Sequence, residues 1–158
     1  MELARGALTA GLLAAAALGL PAQAASDSGY IVMPFDQAKA LLSQCSRPTP
    51  LLGEQGWSPS PSDIARFEAA LPNALAPAAA KHAFLKAVPK GWLRQYVGMI
   101  RKGRRVIYGN FFPTGFDGEF NYWRREPVVV CDGGAAFFGA EFDVDRNVIT
   151  NIEFNGYA

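Results

Sequence analysis

Residues 136–155 read AFFGAEFDVDRNVITNIEFN, and their alternation decides the fold class. Ala136, Phe138, Ala140 and Phe142 take every second place, with Phe137, Gly139, Glu141 and Asp143 between them. Past Asp145 and Asn147 the pattern resumes, Val148, Thr150, Ile152 and Phe154 alternating with Ile149, Asn151, Glu153 and Asn155. Successive strand side chains point to opposite faces, so two period-two arms around an Asp/Asn turn predict a β-hairpin. A second hairpin is predicted upstream, where residues 92–100 and 104–112 flank Arg101-Lys102-Gly103, with glycine at the turn. Val128 to Cys131 is predicted as a short fifth strand, ended by Asp132-Gly133-Gly134.

The N-terminal half has helical spacing instead. Ala38, Leu41, Leu42 and Cys45 share one face of a helix predicted from Asp36 to Cys45. Residues 46–59, with Pro48, Pro50, Gly53, Gly56 and Trp57, are predicted as a long loop. Ser60-Pro61-Ser62-Asp63 then supplies a capping serine, a proline at the first helical position and an acid at the third. Ile64, Phe67 and Leu71 mark a buried stripe ending before Pro72, and Ala-rich residues 73–88 predict a third helix interrupted near Pro77. Helices first and antiparallel strands second give an α+β expectation: two or three N-terminal helices packed on one face of a roughly five-stranded antiparallel sheet.

Ahead of these elements, Arg5 precedes a charge-free run from Gly6 to Leu20, Pro21 breaks it, and Ala22-Gln23-Ala24 is a small-x-small site. This layout predicts a secretory signal at residues 1–24, the run being short for a membrane span, followed by one domain at 25–158. The predicted mature chain holds no second long apolar segment, so no membrane span is expected in it. The formal charge is +1, and the signal's Glu2 and Arg5 cancel, so nothing draws the chain generally toward nucleic acid or anionic membrane. In an oxidising compartment the two cysteines, Cys45 and Cys131, predict a disulfide that contributes about 4 kcal/mol by closing a long loop. The alternatives are buried free thiols or a catalytic thiol, for which His82 is the only histidine in the chain.

The C-terminal residues carry a resemblance. The string VVVCDGG, FFGAEFD and IEFNGYA within residues 128–158 resembles the CDGG…FFG…FNG ending of small exported proteobacterial proteins. Cys45-Ser46-Arg47-Pro48 and the hairpin from Tyr96 to Tyr108 extend the resemblance over most of the predicted mature chain. It implies a bacterial source and strengthens the Cys45–Cys131 pairing, and it transfers no activity.

Arg101, Lys102, Arg104 and Arg105 crowd the first hairpin tip, with Tyr108 on an arm and Trp123 and Arg124 further on. Cations beside aromatics suit an anionic partner, and a charged turn that keeps the hairpin unpaired uses the same residues. Asp143, Asp145 and Asn147 have the spacing that opens a calcium loop, but Val148 and Phe154 stand where its glycine and glutamate belong; hairpin turns also favour Asp and Asn. No other metal site, no cofactor and no nucleophile motif is predicted. The functional expectation is a periplasmic or secreted non-catalytic binding protein that inhibits or escorts another envelope or secreted protein, with no nucleic-acid partner. Its expected surface joins Arg101, Lys102, Arg104 and Arg105 to the loop carrying Trp57, in keeping with Trp and Arg as binding anchors. The alternative is a small-molecule-binding or weakly catalytic domain, with a pocket between sheet and helices that uses Tyr108, Asp132 and Glu141. A purely structural envelope role is the third possibility.

Overall fold

The computed structural model describes residues 29–115 and 119–157, so the predicted signal at 1–24 lies outside the described residues. Along the chain come β1 (Tyr30–Val32), a 3-10 turn (Phe35–Gln37) leading into α1 (Ala38–Leu42), β2 (Gln55–Trp57) and α2 (Pro61–Ala79). A 3-10 segment (Ala83–Ala87) precedes β3 (Trp92–Arg101) and β4 (Arg104–Pro113); a 3-10 turn (Gly134–Ala136) precedes β5 (Phe138–Asp143) and β6 (Val148–Phe154). The fold is α+β. Its six strands run β1-β3-β4-β5-β6, with β2 also on β3.

The sheet is mixed rather than antiparallel, because β1 lies parallel to β3 while the other pairs are antiparallel. The helices are not N-terminal either: β1 precedes α1, and β2 separates the two. Both unforeseen strands are three residues long, too short for alternation to emerge, and β2 lies inside the Pro/Gly-rich stretch expected to be loop. It docks through a close approach. A Cβ on Gly98 would fall 2.4 Å from the Trp57 carbonyl oxygen, so only glycine admits β2 there. Lys102 and Gly103 both take positive φ, the two-residue turn whose twist matches a hairpin.

α2 starts as its sequence dictates. The Ser60 hydroxyl accepts the Asp63 N–H at 3.2 Å, and the Asp63 carboxylate accepts the Ser60 N–H at 2.9 Å. It then runs unbroken through Pro72 and Pro77, correcting the expectation of two helices. Leu71, Leu75 and Ala79 continue the buried stripe, whereas both prolines lie on the exposed face, where water can satisfy carbonyls left without a donor. Residues 83–87 form a 3-10 segment only. The helix at Asp36 begins as a 3-10 turn without a side-chain cap and ends at Leu42, short of Cys45.

The helices flank both faces of the sheet, not one. α2 packs Ile64, Phe67, Leu71 and Leu75 with Tyr96, Ile107, Phe111, Phe138 and Phe142. Phe67 stacks on Phe142 at 5.2 Å between ring centres. α1 packs Ala38, Leu41 and Leu42 with Val97, Met99 and Tyr108. Tyr96 and Val97 are consecutive on β3 and therefore face opposite ways. Leu93, Phe112, Trp123, Val128 and Phe137 extend the core on the α1 side.

Val128 to Cys131 is not a strand. Side-chain amides take the place of a neighbouring ladder. The Gln95 Oε1 accepts the Val128 N–H at 2.9 Å, while Gln44 and Asn110 donate to the Val128 carbonyl at 3.1 and 2.9 Å. The Val130 N–H donates to Gln44 at 3.2 Å, and Asn155 donates to the Val130 carbonyl at 2.7 Å. The backbone is satisfied without a partner strand, as a buried segment requires.

Candidate functional site

A disulfide joins Cys45 to Cys131, across 86 positions of chain. Two residues on, Arg47 turns inward and is almost fully buried. Its Nη1 donates to Asn155 Oδ1 at 2.8 Å, and its Nη2 to Tyr108 Oη at 2.9 Å and Asn110 Oδ1 at 2.6 Å. Among the described residues it has no ion-pair partner, and burial lowers its pKa from the ordinary arginine value. Burial raises that of Tyr108, with Arg47 opposing the shift. Tyr108, expected either at a binding surface or in a pocket, is thus one member of a buried knot that fastens the disulfide loop to the sheet.

The hairpin tip carries Arg101, Lys102, Arg104 and Arg105, and the loop carrying Trp57 does lie against it. Leu51 gives its carbonyl oxygen to Arg101, the Glu54 carboxylate accepts the Lys102 N–H at 3.0 Å, and β2 extends the contact. Three of the four cations divide between the sheet faces, Lys102 lying in the turn. Arg105 sits over the Trp57 ring at 5.4 Å on the α2 side, while the Trp57 indole N–H donates to the Met99 carbonyl at 3.1 Å. Arg101 and Arg104 oppose each other across the hairpin end and point to the α1 side. There Arg101 meets Glu141 at 2.7 Å and Arg104 approaches Asp143 at 3.6 Å.

Arg105 pairs with Asp145 at 2.8 Å, and also donates its backbone N–H to that carboxylate at 3.1 Å. The pairing holds Asp145 below and Arg105 above its ordinary pKa. Asp143 accepts the Arg146 N–H at 2.9 Å, and Asn147 takes positive φ in the β5–β6 turn. These are the calcium candidates; their carboxylates are engaged by arginines. Among the described residues no three His, Cys, Asp or Glu side chains gather to hold a metal ion.

Trp123 and Arg124 are not at the tip. They border a cleft of about 600 Å³ with Glu68, Lys90, Trp92 and Arg94, at the other end of β3. Arg124 lies over the Trp123 ring at 4.3 Å. Arg94 pairs with Glu68 at 3.1 Å, and Tyr96 donates to the same carboxylate at 2.9 Å. Nor do Tyr108, Asp132 and Glu141 enclose a pocket: Tyr108 bonds Arg47, Glu141 bonds Arg101, and Asp132 is exposed. Aromatic rings fill the space between α2 and the sheet.

Two further features of the tip escaped sequence reasoning. Leu51 is 70% exposed and Leu52 47% exposed, and Leu51 is held beside the cations. Arg146, from the β5–β6 turn, joins Arg101, Lys102 and Arg104 around one groove. An adjacent leucine pair in a Pro/Gly-rich loop was the available signal for the first; nothing in the sequence announces the second. Comparison with known protein families, characterised proteins and solved structures returns no match.

Proposed function

We propose that the chain is an exported, non-catalytic binding protein that acts on another envelope or secreted protein, and that its contact surface is the hairpin tip on the α1 side. The observation that carries this is the placing of exposed Leu51, followed in the chain by exposed Leu52, beside Arg101, Lys102, Arg104 and Arg146. An apolar centre within a polar, cationic rim is the anatomy of a protein interface. Relative to the sequence expectation the surface shifts: Trp57 is half-buried and tied to Met99, so it supports the loop, and the leucines take over as apolar anchors. Export is favoured by the disulfide and by the predicted signal, and among the described residues no helix is long and apolar enough to cross a membrane.

The test is site-specific photo-crosslinking in cells that make the protein natively, with the reactive group at Leu51 or at Arg104, and at Ala74 on the exposed side of α2 as the control. The expected result is a discrete adduct from the first two positions and none from the third. Identical patterns from all three positions would sink the surface assignment. Mass analysis of the exported product checks the address, with Ala25 expected as its first residue.

A further inference from the structure

The geometry points to an acidic segment of a partner protein, bearing an apolar side chain between its carboxylates, as the ligand of the groove beside Leu51. This rests on the surface assigned above and names the chemistry that surface selects. The groove is lined by Leu51, Arg101, Lys102, Arg104, Val106 and Arg146 and encloses about 230 Å³. That is below the roughly 300–1,000 Å³ typical of small-molecule sites, so it suits one inserted side chain better than a whole small ligand.

Charge is ordered by depth. Glu141 and Asp143 are buried, and they lie under Arg101 and Arg104, whereas the Arg104 side chain is 55% exposed. Lys102 and Arg146 have no ion-pair partner among the described residues, and Glu54 serves the Lys102 backbone N–H. The tip is therefore close to neutral in sum, yet an approaching group meets cations first. Carboxylates at the rim find Lys102, Arg104 and Arg146, and the side chain between them meets Leu51 and Val106. A continuous run of phosphates fits worse, because Asp143 lines the groove itself and Asp145 flanks the tip.

The test uses the oxidised protein and two fluorescein-labelled peptides, one of Glu-Glu-Leu repeats and one of Gln-Gln-Leu repeats, read by fluorescence anisotropy. The expected result is binding of the Glu peptide at least about tenfold tighter than the Gln peptide, weakening steadily with added salt. Lys102→Glu with Arg146→Glu is expected to remove about tenfold or more of that affinity, since neither substitution breaks an ion pair within the protein. Leu51→Asp is expected to weaken binding as well, and Lys90→Glu, at the other end of β3, to leave it unchanged. Equal binding of the two peptides, no salt dependence in the unmodified protein, or full affinity in the charge-reversed variant would overturn the inference. Preference for a short thymidine oligonucleotide over the Glu peptide would overturn it too. If crosslinks form at Leu51 while the Glu peptide fails to bind, the acidic chemistry is wrong and the surface stands; if both fail, both fall.

Discussion

Replacing Arg47 tests whether the buried knot works by hydrogen bonding or by charge. Its guanidinium makes three bonds, to Asn155, Tyr108 and Asn110, with no carboxylate to balance it. Bonds from a charged donor contribute roughly 1.5–3 kcal/mol each. In Arg47→Lys the charge stays buried, but the side chain is one atom shorter, so its single ammonium falls near where the guanidinium carbon stood and reaches only one of the three acceptors. Losing two of the three bonds puts the expected cost at about 4 kcal/mol. In Arg47→Met all three bonds go, but so does the ion, whose burial itself costs several kcal/mol. The acceptors at Tyr108, Asn110 and Asn155 are left short of a donor, which the removal of the buried ion partly offsets, and the net expected cost is about 2 kcal/mol. The conservative change is therefore expected to be the worse one. The assay is urea unfolding at about pH 7, with the disulfide intact and tryptophan fluorescence as the probe. Arg47→Lys within about 1 kcal/mol of the parent, or Arg47→Met below Arg47→Lys, would refute the reasoning.

Three other outcomes follow from the geometry. Asp63 has its pKa lowered from 3.8 to about 2, first by the Ser60 hydroxyl and further by Arg66. A depressed carboxylate stabilises the fold fully above its unfolded pKa and loses that contribution as pH falls through the folded one. About 2 kcal/mol should therefore disappear between pH 4 and pH 2, and Asp63→Asn should flatten that part of a stability–pH curve. Cys45→Ser with Cys131→Ser should cost about 4 kcal/mol yet keep the parent far-UV circular dichroism at room temperature, because Gln44, Gln95, Asn110 and Asn155 still hold residues 128–130. Gly98→Ala sets a Cβ against the Trp57 carbonyl and should cost about 1–3 kcal/mol, with amide exchange accelerated at Glu54, whose N–H donates to Ile100.

What the sequence disclosed and what it hid divide along physical lines. Both hairpins and the start of α2 were legible because each depends on a local pattern: alternation over several residues, or a cap read over four. The disulfide was legible from the even count of cysteines together with the expected compartment. The parallel pairing of β1 was not, since three residues have no period and parallel pairing is set by chain crossover, not by local sequence. Pro72 and Pro77 misled because a proline on the solvent side of a helix costs less than the stripe beneath it returns. The bridging of Val128 by Gln95 and Asn110 was beyond reach, as glutamine and asparagine in a strand pattern normally announce the wet face. Trp57 was legible as a neighbour of the tip, but its half-buried indole, tied to the Met99 carbonyl, was not, because exposure cannot be told from residue type.

The two halves of the molecule's polar chemistry meet in one loop. Leu51 and Leu52 would ordinarily be expected to turn inward, since exposing large apolar side chains gives up the favourable burial that drives folding. Here the chain around them has little freedom to do so. On one side Cys45 is bonded to Cys131 and Arg47 is locked into the knot; on the other β2 is paired to β3 and the Trp57 indole is tied to Met99. Between these anchors the Leu51 carbonyl is itself held by Arg101, which is braced in turn by Glu141. A loop fastened at both ends and at its middle presents its leucines without paying again in conformational entropy when something covers them. On this argument the buried arginine and the exposed leucines serve one purpose: loosening Arg47 should weaken binding at Leu51 as well as stability, although Arg47 itself is buried beneath the surface.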